Sequence, residues 1–268
     1  MHVHFLDPYR PRLSPIHSLD PRVKFILVLA FILTTALTPN SAWPIYILLC
    51  ALILSVVVLS DLGVGFVLKR AALAFPFVLA AFPLLFTIAG QPLFILSIGP
   101  WALNASLQGL LRFISLALKS WISVQAAIVL AASTPFPELL VAMRAIRIPR
   151  LLVAIFGLMW RYMFVLVDEA LRLIRARSAR SGDPADPRLR AGGSVPWRAR
   201  VAGGMAGNLF LRAFERSDRI YMAMVSRGYD GEVRTIPLPE LRPTHWFILF
   251  SGLAMLGVLL LFAILFWG

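Results

Sequence analysis

Long apolar runs separated by short polar breaks fill the first half of the chain, and two stretches mixing arginine with apolar residues follow. A membrane helix needs about 20 mostly apolar residues. Four runs are predicted as spans: residues 23–37, 44–59, 71–89 and 247–267. The first two are short and are joined by the uncharged turn "TPNSAW", the pattern of a helical hairpin. A fifth run, 102–132, carries Arg112 and Lys119. Charges inside a span face protein or water rather than lipid, so this one is predicted to be tilted or packed within the bundle.

Charge placement orients these spans. Arg10, Arg12, Arg22 and Lys24 precede or open the first span, and the next loop has no charge. Asp61, Lys69 and Arg70 follow the second span, and the loop 90–101 is again uncharged. This alternation is the positive-inside pattern. It predicts a cytoplasmic N-terminus, a cytoplasmic stretch from 133 to 242 and a C-terminus outside. That stretch holds 18 arginines, no lysine and 10 acidic residues. Within it "LLVAIFGLMWRYMFVLV" (151–167) is apolar enough to be read as a span. Arg161 lies in its middle, and a crossing there would move Arg172 to Arg242 outside. The segment is therefore predicted as part of a long helix, 149–181, lying on the inner membrane face or against other helices. Pro149 suits its first turn. A loop, 182–196, and a second long helix, 197–227, complete a cytoplasmic helical hairpin, with a small helix at 137–146 before it.

The expected architecture is all-α: an integral membrane bundle of about five transmembrane helices plus that hairpin. Residues 1–132 hold the N-terminal segment and four spans, 133–242 the hairpin region, and 243–268 the last span. Composition agrees. Hydrophobic residues make up 59% of the chain and its formal net charge is +13, against about 45–50% apolar for a soluble domain. The basic charge fits the inner membrane face and leaves no separate nucleic-acid-binding domain. The N-terminal segment lacks the apolar core and cleavage site of a signal peptide. Cys50 is the single cysteine, so no internal disulfide forms.

No nucleophile elbow, HExxH helix or phosphate-cradling glycine loop is present, and no catalytic residue is predicted. His2 and His4 could hold a soft divalent metal at the amino terminus. With His17 and His245 they make a poor cage, lacking clustered acids or thiols, and no metal site is predicted. Asp20 is placed to cap the first span, with Pro21 at its first position. Glu215, Arg216, Asp218 and Arg219 read as a solvated helix face with local ion pairs. Ala199, Gly203 and Gly207 fall four apart, a spacing that lets two helix backbones touch, and predict a close crossing with the 149–181 helix.

Two small–Arg–small triplets remain, Ala179-Arg180-Ser181 and Ser226-Arg227-Gly228, each at a predicted helix end beside glycine. Each arginine could complement the helix dipole while glycine supplies the left-handed cap. With small neighbours, each guanidinium could instead enter an acidic groove and bind carboxylates bidentately. Both readings stand at the level of sequence.

"SPIHSLDPRVKF" (14–25), "LFLRAFERSDRIYMAMVSRGYDG" (209–231) and the paired triplets resemble the transmembrane T component of energy-coupling factor (ECF) transporters, most closely its cobalt/nickel branch, the CbiQ type. The resemblance spans essentially the whole chain, and the 209–231 block is its most specific part. It implies a non-catalytic coupling subunit working with two ABC-type ATPases, which bind ATP and Mg, and with a substrate-binding membrane S component. A small accessory membrane subunit is a further candidate partner. The resemblance also implies a multi-pass protein of a bacterial or archaeal cytoplasmic membrane, carrying no cofactor of its own, with cobalt or nickel bound by the S component. In that family two Ala-Arg-Gly signatures dock into the ATPases. Arg180 and Arg227 match them by position, while Ser181 replaces the first glycine and Ser226 the second alanine. Arg177, in Ala176-Arg177-Ser178, competes with Arg180. Alternative readings are a T component serving a vitamin importer, or a self-contained permease using Arg112 and Lys119.

Overall fold

A computed structural model describes residues 8–88, 91–98, 101–180, 193–231 and 240–267. The chain divides into two compact units. One comprises residues 4–146 and 238–268, the other chiefly residues 147–237.

The first unit is a helical bundle. Its first helix, α1 (Pro21–Leu37), starts as the sequence predicts: the Asp20 carboxylate accepts from the Arg22 N–H at 2.9 Å, and Pro21 occupies the first position. α2 (Trp43–Leu59) follows, and a tight turn with Asp61 at φ +54° and Gly63 at φ +84° leads into α3 (Val64–Ala71). The expected continuous span over 71–89 is not one helix. It breaks into a 3-10 turn (Ala72–Ala74) and two short helices, α4 (Phe75–Leu79) and α5 (Leu84–Thr87). Pro76 and Pro83 each lack an N–H, and apolar composition alone does not reveal the interruptions they cause. An antiparallel pair, β1 (Pro92–Ile98) and β2 (Trp101–Ser106), then replaces the expected plain loop, with Ile95 opposite Asn104 and Ile98 opposite Trp101.

Ser106 closes that pair and opens α6 (Leu107–Ser133), its hydroxyl accepting from the Gly109 N–H at 3.0 Å. A Cβ on Gly109 would stand 2.7 Å from the Leu84 carbonyl oxygen, so this close approach of α5 to α6 requires glycine. α1 packs against α6, against α7 (Phe136–Ala145) and against α10 (Pro243–Trp267). The core runs through Phe31, Leu49, Ile53, Val57, Ile122, Val129 and Leu256.

Two lysines bind the antiparallel pair α1 and α6 end to end. Buried Lys24, in the first turn of α1, donates its Nζ to the Ser133 carbonyl at the end of α6, 3.1 Å away. Lys119, midway along α6, donates to the Ala36 carbonyl at the end of α1 at 3.1 Å and to Asn40 Oδ1 at 3.3 Å. Each lysine satisfies a carbonyl that a helix end leaves without an intrahelical partner. Lys119, which the permease reading would use, thus bonds a helix end, and Arg112 is exposed.

The second unit holds α8 (Arg150–Arg180) and α9 (Val195–Val225), within two residues of the expected helices. By length and composition α6, α8 and α10 can each cross a membrane, and α1 and α2, at 17 residues, sit at the short end of the spanning range. The protein is an all-α integral membrane protein with, among the described residues, one small β-pair.

Candidate functional site

α8 and α9 run antiparallel, and their interface is built from the middle of α8 and the second half of α9. Leu158, Tyr162 and Leu166 face Ala213, Ser217, Ile220 and Met224 across an apolar cleft of about 500 Å³. One acid fixes the register. Glu169, mostly buried, accepts from Arg212 Nη1 at 3.3 Å and pairs with Arg216 Nη2 at 3.6 Å. Arg216 was expected in a local ion pair on its own helix; its partner instead lies on the neighbouring one. The 43-residue separation of Glu169 and Arg212 leaves no periodic trace in sequence.

The predicted close crossing through Ala199, Gly203 and Gly207 is absent. A Cβ added at Gly203 or Gly207 would meet nothing within 4 Å, and Ala199 is exposed. The helices meet beyond the glycines, through larger side chains and the Glu169 pairings, so their backbones need not touch there. No residue of α9 is buried, and Phe210, Leu211, Phe214 and Met222 are each at least 60% exposed. An apolar surface of this extent marks a partner or lipid contact.

The second triplet closes α9 with a left-handed cap. Gly228 has φ +78°, its N–H bonds the Val225 carbonyl at 2.9 Å, and the Tyr229 N–H reaches back to the Met224 carbonyl at 3.0 Å. Ser226 donates its hydroxyl to the Ala223 carbonyl. Backbone groups thus make the cap, and the Arg227 side chain takes no part in it. Its guanidinium is exposed and makes no hydrogen bond or ion pair with any described residue. It lines a cleft of about 580 Å³ with Arg161, Tyr162, Met224, Tyr229 and Asp230. Arg161, the charge that interrupts the apolar run of α8, lines the same cleft as Arg227 and Asp230. Sequence used Arg161 only to argue against a span and gave it no place in this cleft.

In the first triplet, Ala179 and Arg180 form the exposed last turn of α8, while Ser181 lies outside the described residues. Arg177 is half-buried and Arg180 exposed. Because α9 returns along α8, Arg227 lines a cleft with Arg161, which lies about 30 Å along α8 from Arg180. The two arginines mark opposite ends of the hairpin. Among the described residues no three His, Cys, Asp or Glu side chains come together as a metal cage.

The family model described as cobalt transport protein, CbiQ, matches residues 13–237. The energy-coupling factor transporter transmembrane protein EcfT of Ruminiclostridium cellulolyticum is 28% identical over 93% of this chain and 92% of its own. The cobalt transport protein CbiQ of Salmonella typhimurium is 28% identical over 79% of this chain and 91% of its own. CbiQ of Rhodobacter capsulatus is 28% identical over 67% and 70%.

Proposed function

Because the chain belongs to the CbiQ cobalt transport family, we propose that it is the transmembrane coupling subunit of an ECF-type importer. In this reading two ABC-type ATPases grip the hairpin, one at Arg180 and the other at Arg227, and a membrane S component carries the cargo. Nucleotide-driven closure moves the two ends of α8 and α9, and their exposed apolar faces pass that movement to the S component. This chain supplies no catalytic group. The N-terminus and hairpin lie on the cytoplasmic side, as the arginine distribution requires, and the C-terminus lies outside.

One observation supports the reading: the Arg227 guanidinium stands exposed, with no partner among the described residues, in a cleft that Arg161 and Asp230 also line, at a helix end whose cap is complete without it. An exposed guanidinium attracts a partner's carboxylate and can hold it by bidentate bonds. Arg180, exposed where Arg177 is half-buried, is taken as the second handle.

Cobalt, or nickel in its place, is the proposed cargo, on the name of the matched family and of the CbiQ relatives. A second reading, a T component serving a vitamin importer, draws on the EcfT relative, which covers more of this chain and names no substrate. Uptake of radioactive cobalt by cells expressing the complete transporter separates the two. The coupling role is tested by purifying the complex with Arg180→Ala and Arg227→Ala combined. The expected result is loss of both ATPases from the preparation; ATPases recovered at wild-type yield would overturn the assignment.

A further inference from the structure

A separate cationic cluster lies at one end of the helical bundle. Arg10 comes from the segment before α1, and Arg70 from the last turn of α3, one turn after Phe66. Both guanidinium groups lie over the Phe66 ring, with Cζ of Arg10 3.7 Å and Cζ of Arg70 4.5 Å from its centroid. The two cationic carbons are thus within about 8 Å of each other, each attracted to the same ring. Neither is ion-paired to a carboxylate among the described residues. Arg12 and Lys69 are exposed nearby in the chain. Asp61 shares a cleft with Arg12, one carboxylate against four cations. Like charges held together without an acid between them form a receptor for an anion, and guanidinium groups bind phosphate oxygens bidentately.

Position identifies the anion. The Arg10 N–H donates to the Ala132 carbonyl at 2.9 Å, which fixes this cluster beside the last turn of α6. A 27-residue helix is about 40 Å long and outlasts a hydrocarbon core of about 30 Å, so its ends lie among lipid headgroups. Apolar surface follows at once: Leu73 and Phe75, just past Arg70, are 74% and 54% exposed. We infer that Arg10, Arg70 and Phe66 form a binding site for the phosphate of an anionic phospholipid, with Leu73 and Phe75 receiving its acyl chains. Clustered basic residues at this depth attract anionic lipid. The inference does not depend on the coupling role.

The test uses the full-length protein in detergent, offered phosphatidylglycerol, phosphatidylcholine of the same acyl composition, or inorganic phosphate. Lipid retained is counted by native mass spectrometry, and thermal stability is followed in parallel. Phosphatidylglycerol is expected to be retained and to raise Tm, and the other two are not. Arg10→Gln combined with Arg70→Gln should weaken phosphatidylglycerol retention by about tenfold or more, as expected for the loss of charge-assisted bonds. Retention unchanged in that variant overturns the site. Equal stabilisation by inorganic phosphate overturns the lipid assignment, since the site then reads a free anion. Loss of a partner subunit with phosphatidylglycerol retention intact makes the cluster a protein interface and equally overturns the inference. Should the double variant fail to fold, photoactivatable phosphatidylglycerol on the wild type decides: crosslinks must map to residues 8–13 or 66–75, and crosslinks confined elsewhere reject the site.

Discussion

At Gln125, in the second half of α6, the side chain is 1% exposed and neither end of its amide has a hydrogen-bond partner among the described residues. A buried amide without partners costs about 1–3 kcal/mol, and an apolar residue of similar volume avoids that penalty. Gln125→Leu is therefore expected to raise stability by about 1–2 kcal/mol, read as a higher melting temperature in detergent; a lower one would mean that the amide is in fact satisfied. His17, outside the spans, is hydrogen-bonded at both ring nitrogens. Its Nε2–H donates to the Arg10 carbonyl at 3.0 Å, and its Nδ1 accepts from the Ser14 hydroxyl at 2.7 Å. Burial lowers its pKa below the usual 6.5; Lys24 and Arg12 add to this, while the Arg10 carbonyl and Asp61 oppose it. A histidine depressed in the folded state binds a proton more readily when unfolded, so its contribution is full above about pH 6.5 and is lost as pH falls through the folded value. Titration of the His17 ring by NMR should give a midpoint below 6.5, and a midpoint above it contradicts this account. Among single residues, Asp20 and Pro21 were legible because capping is local chemistry. Gln125 was not, since nothing in an apolar run tells which face is enclosed.

Elements are held by contacts that periodicity does not encode. The reciprocal lysines join α1 to α6, and each of Lys24→Met and Lys119→Met leaves a helix-end carbonyl without its donor. Each should cost about 1–3 kcal/mol in thermal unfolding, and an unchanged Tm would show that the helix ends are satisfied otherwise. In the hairpin, Glu169 lies between Arg212 and Arg216 with both arginines partly in solvent. A double-mutant cycle with Glu169→Gln and Arg212→Gln should return a coupling of only about 0.5 kcal/mol, because exposed pairs are screened. That coupling should fade toward 1 M salt; if it does not, the pair is shielded from solvent. Helix limits were read to within two residues in α8 and α9 because Pro149, the 182–196 turn residues and Gly228 punctuate them. The 71–89 run was misread because its composition outweighed Pro76 and Pro83. The small-residue face of α9 was misread because a spacing that permits close approach does not create a partner to approach.

For the whole molecule, the alternation of basic and uncharged segments established a membrane bundle with an arginine-rich remainder, and the fold agrees. What sequence left open was whether Arg180 and Arg227 finish their helices or project from them. Gly228 and the carbonyls of Met224 and Val225 complete the second cap by themselves, which leaves Arg227 projecting into a cleft that Arg161 and Asp230 also line. Nothing in the sequence pattern brings Arg161 to that cleft, since its place there depends on how α8 crosses α9. The central claim, that the two hairpin ends are separate handles for two ATPases, is tested most directly by placing a photo-crosslinking residue at 180 or at 227 in the assembled transporter. The account predicts that each position crosslinks to an ATPase subunit and that the yield changes on adding ATP. Crosslinks from either position to this chain itself, or to the S component alone, would contradict it.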